Sequence, residues 1–309
     1  EGIVPQQLLA DHAHQSGMKF DLMYRVGFLG GLGLSELWND NYVQKHPQFR
    51  QVTHDGKVLQ KASLAYPEVQ RLILEQIQES CQLIDADGIN LCFVRGPHFL
   101  GWEKPVRDAF EAKYGGSSAE VAEKDPRINI VRCEIMTAFL KSVKARLDVI
   151  GNKRERALTM SVWVWPHEQN VWLGRRPVDE GLNVEDWIRL GLLDSVICQE
   201  GIDESYIELG KTHGCEFVLF TGYRGDKAMS PSTLSNAIQR GVTSFAYWDI
   251  DAAQHDPQTW RWLRQTGDSE TLSRFAREPE LLKRHLLQLL EINGKRVDEG
   301  LADAVYSGG

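Results

Sequence analysis

The segment 67-PEVQRLILEQIQESCQLIDADGINLCFVR-95 decides the fold. Pro67 stands where the first helical turn tolerates a residue with no N–H, and Val69, Leu72, Ile73, Ile77, Cys81 and Ile84 recur at helical spacing. Asp87-Gly88 closes that pattern, and the unbroken apolar run Ile89–Val94 opens directly behind it and ends on Arg95. A helix, a polar turn and a strand apolar on both faces make one clause of an alternating α/β chain.

The clause recurs on both sides. Apolar runs at Phe20–Val26, Leu158–Trp165, Ser195–Gln199, Phe217–Thr221 and Ser244–Ile250 read as further strands. They exit into Arg25, Trp165-Pro166-His167, Glu200-Gly201, Tyr223-Arg224 and Asp249-Ile250-Asp251 respectively. Helical patterns fill the intervals: Val4–Ser16, then a long one behind Asp125-Pro126 carrying Ile128, Val131, Ile135, Phe139, Val143 and Leu147. Val184–Leu190, Glu204–Thr212, Pro231–Arg240 with Ser230 as N-cap, and Ser269–Glu291 follow. The connection Gly27–Ala65 is too long to be idle in a compact domain and contains a hairpin, Phe49–Gln60, turning at Asp55-Gly56. The expected division is one domain over 1–293 and a charged, glycine-rich tail over 294–309.

Parallel strands alternating with helices put every strand's C-terminal end on one side, where the chemistry of a closed barrel is built. Six strands are visible against the eight of a (β/α)8 TIM barrel, so the expectation is an incomplete TIM barrel showing strands three to eight, the first two βα units lacking. An open doubly wound sheet is the alternative. No G-x-G-x-x-G follows a strand, and Gly27, Gly30, Gly31 and Gly33 read as a tightly turning loop rather than a phosphate cradle.

A net charge of −8 argues against a nucleic-acid partner. No apolar run reaches the roughly 18 residues of a membrane span. Cys81, Cys92, Cys133, Cys198 and Cys215 form no C-x-x-C pair and lie mostly inside apolar patterns, so buried free thiols are expected. The chain begins at Glu1; a leader removed upstream would make it secreted or periplasmic, and localisation stays open.

The strand exits carry the candidate chemistry. Arg25 and Arg95 are permanent cations able to grip a carboxylate or fix a sugar hydroxyl, or to pair with an acid of a neighbouring strand. His98 and His167 can hydrogen-bond a ligand. Trp163 and Trp165 alternate onto one side of their strand, and with Trp102, Trp172, Trp248 and Tyr223 they supply aromatic faces suited to sugar C–H faces, core packing being the plainer role of each. Glu200, Asp249 and Asp251 are the candidate catalytic carboxylates, because a pair of acids across a barrel mouth is the minimum apparatus of glycoside hydrolysis. Asp249 or Asp251 can instead cap the following segment or pair with Arg95. Asp249-x-Asp251 with His255-Asp256 matches no strong metal motif, so neither metal nor cofactor is expected. No G-x-S-x-G nucleophile is present.

Ala62-Ser-Leu-Ala-Tyr-Pro-Glu-Val69 and Ile84-Asp-Ala-Asp-Gly-Ile-Asn-Leu-Cys-Phe-Val-Arg95 resemble the bacterial "family 10 glycosylhydrolase" proteins, whose phrases are S-(F/Y)-A-x-P-E-V-R and D-x-D-G-I-x-L-D-F-x-R. Lys45-His-Pro-Gln-Phe49 and Ala246-Tyr-Trp-Asp249 are similar to the same group, and the resemblance spans roughly Val4 to Leu263. It implies a TIM barrel whose first visible strand is the third, with a carbohydrate-related role. The chain departs from the pattern at Cys92, where the family has an acid, and at Tyr223-Arg224, with no acid before Asp226. The expected function is glycoside-hydrolase-like, with Glu200 as proton donor and Asp249 as base or nucleophile. A non-catalytic carbohydrate-binding barrel and a lyase or isomerase of sugar acids are the alternatives.

Overall fold

Strand β4 (Gly88–Cys92) is buried along its whole length, as a run apolar on both faces requires. The computed structural model that contains it describes residues 4–27, 41–94, 98–168, 176–199, 201–220, 231–247, 269–278, 291–292 and 295–296. β4 pairs in parallel with β1 (Asp21–Arg25) on one side and β5 (Thr159–Val164) on the other. The register sets Met23 opposite Asn90 and Asn90 opposite Ser161, then Arg25 opposite Cys92 and Cys92 opposite Trp163. Alternation therefore sorts the strands into two faces. Leu22, Tyr24, Ile89, Leu91, Met160 and Val162 share one; Asp21, Met23, Arg25, Asn90, Cys92, Ser161 and Trp163 share the other.

Helix α1 (Pro5–Gln15) precedes β1. Helix α2 (Asn41–Lys45) leads to a hairpin of β2 (Arg50–Val52) and β3 (Val58–Ala62), whose turn places Gly56 at φ 83°, the left-handed region that glycine enters without strain. Helix α3 (Pro67–Leu83) buries Val69, Ile73, Ile77 and Cys81 and packs on helix α5 (Pro126–Arg154), whose buried stripe includes Ile128, Val131, Phe139, Val143 and Leu147. Asp125 caps α5, accepting from the Arg127 N–H at 2.9 Å. Helix α4 (Lys104–Tyr114) lies between them in sequence and was not anticipated; Val106 and Phe110 are its two buried anchors.

Six strands make one sheet in the order β1-β4-β5-β6-β7-β8, with β6 at Ser195–Gln199, β7 at Glu216–Phe220 and β8 at Ser244–Ala246. Among the described residues this sheet is open, β1 and β8 standing at its two ends. The chain divides into two compact units, 1–196 with 208–216, and 197–207 with 217–309. Within the second, β7 pairs in parallel with β8, Val218 opposite Ser244. The helices Pro231–Gln239 and Ser269–Arg277 also belong to it, and Gln239 Nε2 donates to the Ala276 carbonyl at 3.3 Å.

All six expected strands are present, Ser195–Gln199 with the bounds expected and the other five with shifted ends. Gly88, read as a turn, is the first residue of β4, and the strand expected to reach Ile250 is described only to Ala246. The helix expected over Ser269–Glu291 ends at Arg277, and Glu291–Ile292 pairs antiparallel with Lys295–Arg296. Ser230, Gly30, Gly31 and Gly33 lie outside the described residues. All five cysteines are buried and free, as expected.

The N-terminal ends of the strands are tied by ions. The Asp87 carboxylate accepts from the Phe20 N–H at 2.8 Å and faces His14 Nε2 at 2.9 Å, while Arg156 reaches Asp85 at 2.6 Å and Asp87 at 3.2 Å. Gly88 follows where β1 and β5 close in. A Cβ there would stand 2.1 Å from Thr159 Oγ1, 2.6 Å from the Thr159 carbonyl and 2.9 Å from Asp21 Oδ1. Gly88→Ala is expected to destabilise the protein by about 1–3 kcal/mol, the usual cost of overpacking, read as a lower urea midpoint; an unchanged midpoint would show that the ladder gives way freely here.

Candidate functional site

In the first unit, three connections leave the C-terminal ends of parallel strands: the one holding the β2–β3 hairpin, after β1; residues 93–103, after β4; and residues 165–183, after β5. A parallel ladder delivers all three to one side. Glu103 joins the first two. Its carboxylate is completely buried and accepts from the Ser63 hydroxyl, the Gly101 N–H at 2.9 Å and the Val52 N–H at 3.3 Å. Burial pushes the Glu103 carboxyl above the ordinary range, and those hydrogen bonds oppose the push. The Trp102 N–H adds a bond to the Val52 carbonyl at 2.6 Å, and the Leu64 N–H one to the Phe99 carbonyl at 3.0 Å. Gly101 permits the approach: a Cβ there would lie 2.3 Å from the Val52 oxygen.

His98 joins all three connections. Its carbonyl accepts from Lys61 Nζ at 2.6 Å and from Gln51 Nε2 at 2.7 Å, both on the hairpin. Its Nδ1 lies 2.7 and 2.9 Å from the two oxygens of Glu180. Glu180 ends a single 3-10 turn, Pro177–Glu180, stopped by Gly181 at φ 83°, and is 1% exposed. The His98 side chain keeps 33% exposure, so the imidazole is anchored at one edge and open at another. Lys61 is buried, with its Nζ 5.5 Å from the centre of the Phe99 ring. Burial pushes the Lys61 ammonium down to about 7, against the pull of the Glu180 carboxylate.

Beside His98 lies a cavity of about 140 Å³ lined by Gln51, His54, His98, Trp102, Glu123 and Arg132 among others. Arg132 of α5 donates to the Gly101 carbonyl at 3.0 Å and sets its guanidinium 5.7 Å from the centre of the Trp102 ring. His54 meets the same indole edge-on at 4.6 Å.

The sequence-derived candidates fall as follows. Arg25 ends β1 on its exposed side. Trp163 lies in β5 opposite Cys92 and Trp165 just beyond it; each is 3% exposed, so neither offers an open indole face. His167 Nε2 sits 3.3 Å from Glu168. Arg95, Glu200, Tyr223, Trp248, Asp249 and Asp251 lie outside the described residues. Of the expected set, His98 is the one placed in a convergent cluster here, and its partners Lys61 and Glu180 were not singled out. Pro177 and Gly181 bracket a turn in the sequence, a signal that locates Glu180 without revealing its burial. Among the described residues no His, Cys, Asp and Glu group is arranged to hold a metal ion, and no helix is long and apolar enough to cross a membrane.

No family model matches the chain, and no curated protein matches it by sequence. Solved structures do match by shape. The glycoside hydrolase domain of PgaB (BpsB) from Bordetella bronchiseptica is similar over 84% of this chain and 78% of its own, at 11% identity and a TM-score of 0.58. The fold is glycoside-hydrolase-like. Alpha-L-fucosidase isoenzyme 2 from Paenibacillus thiaminolyticus matches at TM-score 0.48 and 12% identity over 91% of this chain and 40% of its own. The catalytic domain of beta-amylase from Paenibacillus polymyxa matches at TM-score 0.48 and 11% identity over 79% of each chain.

In this glycoside-hydrolase-like fold the buried Lys61 makes a testable demand. Its value in the folded protein lies below that of the unfolded chain, so between pH about 7 and about 10.4 the unfolded chain binds the extra proton and stability rises with pH. Lys61→Met is expected to remove a slope of up to about 1.4 kcal/mol per pH unit, measured as the difference in urea stability between parent and variant across that window. Parallel curves would contradict a depressed Lys61.

Proposed function

We propose that the chain is a glycoside-hydrolase-like protein acting on a glycan by carboxylate acid/base chemistry at the C-terminal ends of its strands. The observation that carries this reading is the convergence of three strand-end connections on His98, in a fold like that of the PgaB glycoside hydrolase domain. Buried polar groups held by both side chain and backbone are costly, and they concentrate where a ligand is handled. The resemblance to family 10 glycosylhydrolase proteins and the completion of the sheet into a (β/α)8 barrel belong to the same proposal.

In it Glu200, directly behind β6, donates the proton to the leaving oxygen. Asp249 acts as base or nucleophile, with Asp251 beside it. Arg95 and Arg25 clamp the substrate; His98, His167, Tyr223 and Trp248 contact sugar groups; Trp163 and Trp165, being buried, serve as core packing. One observation favours a second reading. Cys92 is completely buried in β4, opposite Trp163, at the position where the resembling family carries an acid. A thiol there supplies no carboxylate, which suits a barrel that binds glycan without cleaving it.

Reducing-sugar release on a panel of oligosaccharides, parent beside Glu200→Gln, separates the two. The proposal expects turnover by the parent and a loss of at least about 100-fold in the variant, the lower end of general acid catalysis. Equal glycan binding by both without turnover would establish the binding barrel instead.

A further inference from the structure

Two histidines line the cavity beside the hairpin, and the partners of their rings fix what they offer to it. His54 Nε2 is 2.8 Å from the Val121 carbonyl oxygen. A carbonyl only accepts, so Nε2 carries the proton and the neutral ring is left with Nδ1 as an acceptor. His98 Nδ1 faces the Glu180 carboxylate at 2.7 Å. A carboxylate also only accepts, so Nδ1 donates, and in the neutral ring Nε2 of His98 is the acceptor left over. Neither remaining nitrogen has a hydrogen-bond partner among the described residues. Both residues line one small cavity, and a ligand that met both nitrogens would donate twice.

The rest of the wall narrows the ligand. Leu59, Leu100 and the Trp102 indole make it partly apolar, and Arg132 and Glu123 give it both signs of charge. A cation would meet the Arg132 guanidinium, and an anion the Glu123 carboxylate and the two acceptor nitrogens. A neutral ring with neighbouring hydroxyls fits both the acceptors and the apolar wall. At about 140 Å³ the cavity is well short of the roughly 300–1,000 Å³ of pockets for drug-sized ligands, which sets the occupant at a single ring.

We propose that this cavity is a subsite for one sugar unit, whose hydroxyls donate to His54 Nδ1 and His98 Nε2, with Glu180 as the positioning residue that fixes the His98 tautomer. The inference deepens the proposed function and rests on it for the identity of the ligand as a glycan residue.

The test is ¹⁵N-histidine NMR of the full chain, titrated with methyl glycosides of glucose, galactose, mannose and N-acetylglucosamine. Methylammonium serves as the cationic control. Before addition, His54 reads as the Nε2–H tautomer and His98 as Nδ1–H. Glu180→Gln releases that preference in His98 and leaves His54 unchanged. At least one glycoside shifts His54 Nδ1 and His98 Nε2 together, and His54→Ala weakens its binding about 3- to 10-fold, the worth of one hydrogen bond. His98→Ala removes a buried contact of Glu180 and risks the fold, so His54→Ala, on the exposed hairpin turn, carries the comparison. Failure of the subsite and failure of the function separate cleanly. Glycan cleavage by the parent, matched by His54→Ala and with neither ring shifting, overturns the subsite alone. Joint ring shifts without cleavage of any glycan support the subsite and count against hydrolysis. Shifts with methylammonium only, or with no probe, overturn the sugar assignment.

Discussion

The parallel ladder of β1, β4 and β5 is the constraint on which the first unit depends. Its register is clamped at the N-terminal ends by Asp87, which holds the Phe20 N–H, and by Gly88, whose missing side chain lets Asp21 and Thr159 approach. Once three strands run the same way, their outgoing connections have to emerge together. The hairpin, the segment after β4 and the Pro177 turn are thereby brought to one side, although the hairpin and the turn lie more than a hundred residues apart in the chain. Ions hold one end of the ladder, and the groups available for chemistry collect at the other.

Two buried carboxylates then do different jobs at that end. Glu103 accepts hydrogen bonds from three residues of the neighbouring backbone and side chains and fastens the hairpin to the β4 connection. A carboxylate so enclosed is structural, since no edge of it reaches a ligand. Glu180 spends both oxygens on one imidazole whose far edge remains open. The Lys61 ammonium, bound to the same residue's carbonyl, is kept in an environment that penalises its charge. Removing one member of such a set weakens the compensation of the others, which is why these groups belong to a single unit of stability.

Much of the architecture was legible in the sequence. The helix behind Pro67, the long helix behind Asp125-Pro126 and the hairpin at Asp55-Gly56 stand where spacing and turn chemistry put them, because local signals dominate there. Strand ends were less legible. Gly88 reads as a turn residue until the ladder partners crowding it are known. Helix α4 carries only two buried anchors, too few to give a clear period. The site was the least legible part. His98 stands out after Pro97, but Lys61 looks like an ordinary strand lysine and Glu180 like a turn residue. Their burial comes from segments far away in sequence. Trp163 and Trp165 invite the opposite error: alternation places them on one side, and packing then covers both.

The proposed function puts the ligand where the strands end and not where they begin. Photo-crosslinking with an oligosaccharide carrying a diazirine, followed by peptide mapping, addresses it directly. Adducts are expected on the hairpin, on residues 98–103 and on the turn at 177–181. Adducts confined to residues 82–87 and 154–158, at the opposite end of the same strands, would contradict it.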